Sequence, residues 1–208
     1  MSRPSEKTPK DLAAGQAASP QSPEFSLEQR RTLLGIAHRA ILSTLERQPF
    51  PDAPPAMPGL TEPRGVFTTL YLHGELRGCV GYVVPIAPLY RAVAETARAA
   101  AFEDHRFLPV AKEEALELDI SLSVLSRLFP IHPEAVEVGR HGLLLSDGGR
   151  RGLLLPQVPV EHGWDRETFL EQTCRKAGLP QNAWRKDATI EAFTAEVFGD
   201  TDAGASSR

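Results

Sequence analysis

The chain has 208 residues, enough for one sizeable core and too few for several independent domains. Hydrophobic residues make up 41% and charged residues 24%, ordinary for a globular protein, and a net charge of −4 supplies no overall field to attract nucleic acid or an anionic membrane. No apolar run approaches the roughly 20 residues that span a bilayer. The polar stretch from Met1 to Pro20 lacks the apolar centre of a secretory signal, so a cytoplasmic protein without membrane partners is expected.

Residues 1–24 combine Ser, Pro, Lys, Ala and Gly with almost no large apolar side chains, and read as a disordered tail. Order begins at Ser26, whose spacing to Gln29 is that of a capping box. Leu34, Ala37, Ile41 and Leu45 then recur at helical spacing. Five prolines between Pro51 and Pro63 resist both helix and inner strand, so this stretch reads as a long surface connection.

Gly65 to Leu72 is β-branched and aromatic, His73-Gly74 marks a turn, and Glu75 to Val84 resumes a strand pattern: a β-hairpin. Strict alternation along the returning strand puts Leu76, Gly78, Val80 and Tyr82 on one face and Arg77, Cys79 and Gly81 on the other. A guanidinium beside a thiol favours the thiolate and can also grip a carboxylate or phosphate with two parallel hydrogen bonds. Gly78 and Gly81 leave room for a close approach to the backbone. The alternative is structural: a strand cysteine packed as a small hydrophobe, and an arginine paired with a structural carboxylate. Cys79 and Cys174 are the only cysteines, which is no disulfide framework.

Leu89, Val93, Ala97 and Ala100 form one stripe of an alanine-rich helix that can pack closely, and Phe102 to Pro109 makes a charged turn. A short helix near Lys112 to Ala115 precedes an alternating strand from Leu118 to Val124. Leu143–Leu145 and Leu153–Leu155 flank Asp147 to Arg150 as a second hairpin. Its Gly148–Gly152 run is turn chemistry, since it lacks the setting and Lys-Ser/Thr ending of a phosphate-binding loop. Asp165 caps the next helix, Trp164 and Phe169 have staple spacing, and Gly178 with Pro180 stops it. Ile190 to Phe198 reads as one closing strand, and 200–208 as a polar tail.

Strands arriving as hairpins, with helices between the groups, give an α+β fold with a largely antiparallel sheet and packed helices. The chain carries no Gly-x-Ser-x-Gly elbow, dinucleotide fingerprint, Cys-x-x-Cys or His-Glu-x-x-His, and its six histidines show no ligand spacing. No metal and no cofactor are implied. A nucleophilic Cys79 would need a base, for which His73, His105 and His162 remain open.

Leu76-Arg77-Gly78-Cys79-Val80-Gly81 resembles the Leu-Arg-Gly-Cys-Ile-Gly signature of the AMMECR domain family. Four further segments are similar to the same family: Glu62 to Phe67, Asp119 to Ser126, Gly152 to Val158, and Gly163 to Pro180. The resemblance implies one two-subdomain unit over 25–199. It also implies a role as the A component of an AmmeMemoRadiSam system, beside a Memo-like protein of the dioxygenase superfamily and a radical S-adenosylmethionine protein. His105 and Leu108 stand where the family pattern has proline. Two functions follow. In one, Arg77 holds an anionic substrate group and Cys79 acts as nucleophile or acid/base, with His105, Asp104 and Glu62 as accessory groups. In the other, the same cleft is presented to a partner without catalysis.

Overall fold

The structure is a computed structural model that describes residues 23–50 and 53–204. The expected N-terminal tail lies outside the described residues as far as residue 22, as do 205–208 of the expected C-terminal one. The elements run α1 (Leu27–Leu45), β1 (Val66–Leu72), β2 (Glu75–Tyr82), α2 (Leu89–Phe102), α3 (Lys112–Ala115), β3 (Leu118–Leu125) and β4 (Phe129–Pro130). They continue with β5 (Gly142–Asp147), β6 (Arg150–Leu154), α4 (Gln157–Glu161), α5 (Arg166–Lys176), β7 (Thr189–Phe193), β8 (Ala195–Gly199) and α6 (Asp200–Gly204). All strand pairs are antiparallel, in two four-stranded sheets ordered β2-β1-β3-β8 and β4-β7-β5-β6. The α+β architecture with two subdomains is what the sequence led us to expect.

Local signals set the element ends. The Ser26 hydroxyl accepts from the Gln29 amide, and the Gln29 side chain accepts from the Ser26 amide, so α1 starts with a complete capping box. Its buried stripe includes Leu34, Ala37 and Ile41. His73 and Gly74 both take positive φ (53° and 83°), the twist a two-residue hairpin turn requires. Asp165 accepts from the Thr168 amide at the start of α5, and Gly178 at φ 70° ends it.

α1 and α2 cover one face of the first sheet and share its core with Leu70, Ile120, Leu122 and Phe198. The second core packs α5 on β5, around Phe169, Leu170, Leu143 and Leu145. The proline-dense connection is anchored where it is described: Leu60 is fully buried, and the Leu60 and Glu62 carbonyls accept from the Tyr90 and Leu89 amides.

Two readings need correction. Ile190 to Phe198 is not one strand. Thr194 breaks it, so β7 belongs to the second sheet and β8 to the first. The break is held by a reciprocal pair: the Ser126 amide donates to the Thr194 carbonyl, and the Thr194 amide donates to the Ser126 hydroxyl. The chain therefore crosses between lobes side by side at 126 and 194. Asp200–Gly204, expected within a tail, forms α6, and the Asp200 carboxylate accepts from the Ile120 amide at 2.7 Å.

Candidate functional site

The signature strand β2 is an edge of the first sheet, and its geometry differs from simple alternation. Leu70 pairs with Gly78 but Tyr71 pairs with Leu76, so Arg77 is the extra residue of a β-bulge. The bulge shifts Leu76 onto the same face as Cys79, opposite Tyr71, and frees Arg77 from the alternation. The guanidinium that was expected to serve the thiol is engaged elsewhere. Its Nε and Nη2 donate to the two Glu114 carboxylate oxygens at 3.1 and 3.0 Å, and Nη1 to the Leu108 carbonyl at 2.8 Å. The side-chain bonds from Arg77, joined by the Ala111 amide, hold the Glu114 carboxyl below its usual range. A ligand gripped by this fork would have to displace Glu114.

Cys79 is half-buried on the sheet face away from α2, and the Thr69 hydroxyl donates to its Sγ at 3.3 Å. The backbone around it is clamped at the free edge. Its amide donates to Asp104 Oδ2 at 2.9 Å, and Arg106 Nη2 donates to its carbonyl at 3.3 Å. The Asp104 side chain is only 6% exposed, and its side-chain bond from Arg106, joined by the Cys79 amide, pushes its carboxyl far below the usual range. Edge strands need such covering, because unpaired amides and carbonyls invite pairing with another chain. Asp104 does come to Cys79, but as an acceptor for its backbone. His105 is exposed on the same turn and makes no hydrogen bond among the described residues.

The two signature glycines have packing partners within the fold. A Cβ at Gly78 would lie 2.2 Å from the Ala100 carbonyl oxygen, so its absence lets α2 press against the strand. A Cβ at Gly81 would lie 2.2 Å from the Phe67 ring across the hairpin. The space they leave is occupied by the protein itself.

Glu62 belongs to a different neighbourhood. Its carboxylate accepts from Arg127 at 2.8 Å and lies 3.8 Å from Arg64. Arg64 is nine-tenths buried, donates to the Leu125 carbonyl and to the Glu24 carboxylate, and leaves its Nε without a partner. It lines a cavity of about 460 Å³ between the lobes. Leu125, Leu144 and Phe193 are buried yet belong to neither core, and they form the apolar wall. Arg127, Arg151 and Lys176 complete a cationic set, and no carboxylate side chain lines the space among the described residues. Arg151 and Lys176 make no ion pair there. A Cβ on Gly152 would lie 2.2 Å from the Ala177 amide nitrogen, so β6 lies directly on the end of α5. A more polar cavity of about 510 Å³ shares Arg64 and Arg127 and adds Arg140 and His141. Burial, with Arg140 nearby, pushes the His141 imidazole below its usual range.

The cavity is the feature that residue-by-residue reading missed. Arg64 stood in a quoted family segment, but nothing local in Arg151 or Lys176 points to a shared wall.

The AMMECR1 family model matches residues 34–198. Protein MK0488 of Methanopyrus kandleri is 43% identical over 190 residues, covering 86% of this chain and 92% of that one. A protein of Thermococcus gammatolerans is 47% identical over 182 residues, covering 80% and 87%. The crystal structure of the uncharacterized protein PH0010 from Pyrococcus horikoshii superposes with a TM-score of 0.61 at 42% identity, covering 81% of this chain and 89% of that one.

Proposed function

Because the chain belongs to the AMMECR1 family over most of its length, and its signature strand is engaged in holding the fold, we propose that it is a binding module for an anionic small molecule with an apolar body, held between its two lobes. One observation carries this reading: an interlobe cavity of about 460 Å³ whose wall joins buried leucine and phenylalanine side chains to four cations, two of them paired with Glu24 and Glu62 outside the wall, with no carboxylate among the described lining residues. That volume and chemistry are those of small-ligand sites. The ligand's apolar part would replace water against Leu125, Leu144 and Phe193, and its charge would face the arginines. In this reading the module presents its ligand to a Memo-like protein and a radical S-adenosylmethionine protein, as the resemblance of Leu76–Gly81 implies. Copurification of the three tests that partnership separately.

The cavity itself is tested with anilinonaphthalene sulfonate, an apolar anion whose fluorescence rises on burial. The folded chain should bind about one equivalent, and Leu153→Trp, which fills the space from β6, should abolish binding without lowering the melting temperature. Undiminished binding to Leu153→Trp would remove the cavity from consideration.

A second reading, thiol chemistry at Cys79, is favoured by the Thr69 hydroxyl donating to the Sγ of this half-buried cysteine. It requires a proton acceptor that the described contacts of Cys79 do not include, so it stands behind the first.

A further inference from the structure

Two partly or wholly buried arginines of the first lobe hold their carboxylates differently. Arg77 sets Nε and Nη2 on the two oxygens of Glu114 and Nη1 on the Leu108 carbonyl. Arg64 is nine-tenths buried, yet its Nη2 takes a single oxygen of Glu24, and its Nη1 bond to the Leu125 carbonyl is long at 3.3 Å. The same Nη2 lies 3.8 Å from Glu62 Oε2, which accepts from Arg127 Nη2 at 2.8 Å, so the two guanidinium groups flank one carboxylate. The Glu24 side chain is 44% exposed and lines the polar cavity of about 510 Å³ together with Arg64, Arg127, Arg140 and His141. We infer that Glu24 holds the place of a ligand: a small organic acid binds this polar cavity with its carboxylate on Arg64, where Glu24 now stands. The site goes beyond the binding reading above, since Leu144, Leu153 and Phe193 of the apolar cavity do not line it.

The physical argument is one of exchange. A buried guanidinium is costly to leave without a counter-charge, so Glu24 can depart only if another anion replaces it. An incoming carboxylate restores the contact that is lost, and the half-exposed Glu24 carboxylate returns to water. The chain around Glu24 stays in place without that contact. Its amide donates to Glu196 Oε2 at 2.6 Å, and the next residue, Phe25, is buried against Phe198. The cavity also offers a donor that Glu24 does not use. His141 is only 6% exposed, and its Nδ1 accepts from the Glu137 amide, so the neutral ring carries its proton on Nε2. That Nε2 has no acceptor among the described residues. Glu24 is the one carboxylate in the described lining, because Glu62 and Glu137 pair with Arg127 and Arg140 from outside it. The occupant sets the class: the place fits a planar carboxylate on a short apolar stem.

The test is NMR titration of the isotope-labelled full chain with acetate, against chloride at equal ionic strength, following the Gly65 and Ser126 amides beside the site. Glu24→Ala vacates the place, so acetate should bind it at least about tenfold more tightly than the parent, the worth of one charge-assisted contact. Glu24→Asp keeps the charge but is one methylene too short to reach Arg64, and it should tighten binding to a similar degree. Parent-like affinity in Glu24→Asp would mean that Glu24 acts by repulsion from a distance and would overturn the inference. Should Glu24→Ala not fold, Glu24→Asp decides the question by the same criterion. Equal acetate binding in all three proteins, no binding in any, or a response to phosphate in place of acetate also overturns it. Leu153→Trp, which fills only the apolar cavity, should leave acetate binding in Glu24→Asp unchanged, so this site and the apolar one stand or fall separately.

Discussion

Replacing Gly78 by Ala would put a methyl carbon 2.2 Å from the Ala100 carbonyl oxygen, and that oxygen is backbone in the last turn of α2. Ordinary contact needs about 3.5 Å, so helix and strand must part by roughly 1 Å locally. No side chain can swing aside to absorb the clash. The cost should therefore sit at the upper end of overpacking, about 2–3 kcal/mol. Displacing the end of α2 also drags the turn that carries Asp104 and Arg106 onto the Cys79 backbone. The assay is urea unfolding with two probes. Far-UV circular dichroism follows α1 and α2 of the first lobe, and fluorescence follows Trp164 and Trp184, the only tryptophans, which pack with the second core. With a slope near 2 kcal/mol/M, the dichroism midpoint should fall by about 1 M or somewhat more. A midpoint within about 0.2 M of the parent would show that the Gly78 contact is slack and that the glycine's place in the signature has another cause.

Cys79 should react with a disulfide reagent in the native protein, whereas Cys174, fully buried and with its thiol pushed up by burial, should react only after unfolding. Mass mapping of the labelled site checks this. Asp104→Asn should lower stability at pH 7 by about 1–3 kcal/mol, since an acceptor for a backbone amide and a guanidinium loses its charge. Because the folded-state carboxyl is depressed, this advantage of the parent should be full above about pH 4 and shrink as the pH falls below it, which melting curves from pH 7 to 2.5 would show. Arg77→Lys keeps the charge but loses the two-pronged bond to Glu114, so it should cost about 1–2 kcal/mol in the first-lobe transition. Leu34→Ala, which empties part of the α1 face, should cost about 2–5 kcal/mol in the same transition.

What was legible in the sequence was whatever short-range chemistry determines. The Ser26–Gln29 box, the His73-Gly74 turn, the Gly148-Gly149 turn with its two positive φ values and the Asp165 cap each involve residues a few positions apart. The bulge at Arg77 was not legible, because no residue there demands it and only the register against Tyr71 reveals it. Strict alternation therefore set Arg77 beside Cys79 and sent Leu76 to the wrong face. The break at Thr194 was hidden for a related reason. Phe193, Ala195 and Val197 keep their alternation in type, but Phe193 is buried and Val197 is 62% exposed, because the two halves of the run serve different sheets. Glu62 looked like a companion of the signature because it lies just before the hairpin, yet its side chain turns to Arg64 and Arg127.

The segments that carry the family resemblance divide into two tasks when placed in the fold. Leu76–Gly81 contributes no lining to the interlobe cavity. It seats α2 through Gly78, accommodates Phe67 through Gly81, and anchors the turns at 104–109 and Glu114 along the sheet edge through Cys79 and Arg77. The other four segments all reach the cavity, supplying Arg64, Leu125, Leu153 and Lys176 from points more than a hundred residues apart in sequence. Core packing alone does not explain this convergence, since Leu125 belongs to neither core and Lys176 is an exposed cation without an ion pair among the described residues. In the proposed reading, a ligand between the lobes would give those four segments one common purpose, while the signature packs the first lobe's own elements together.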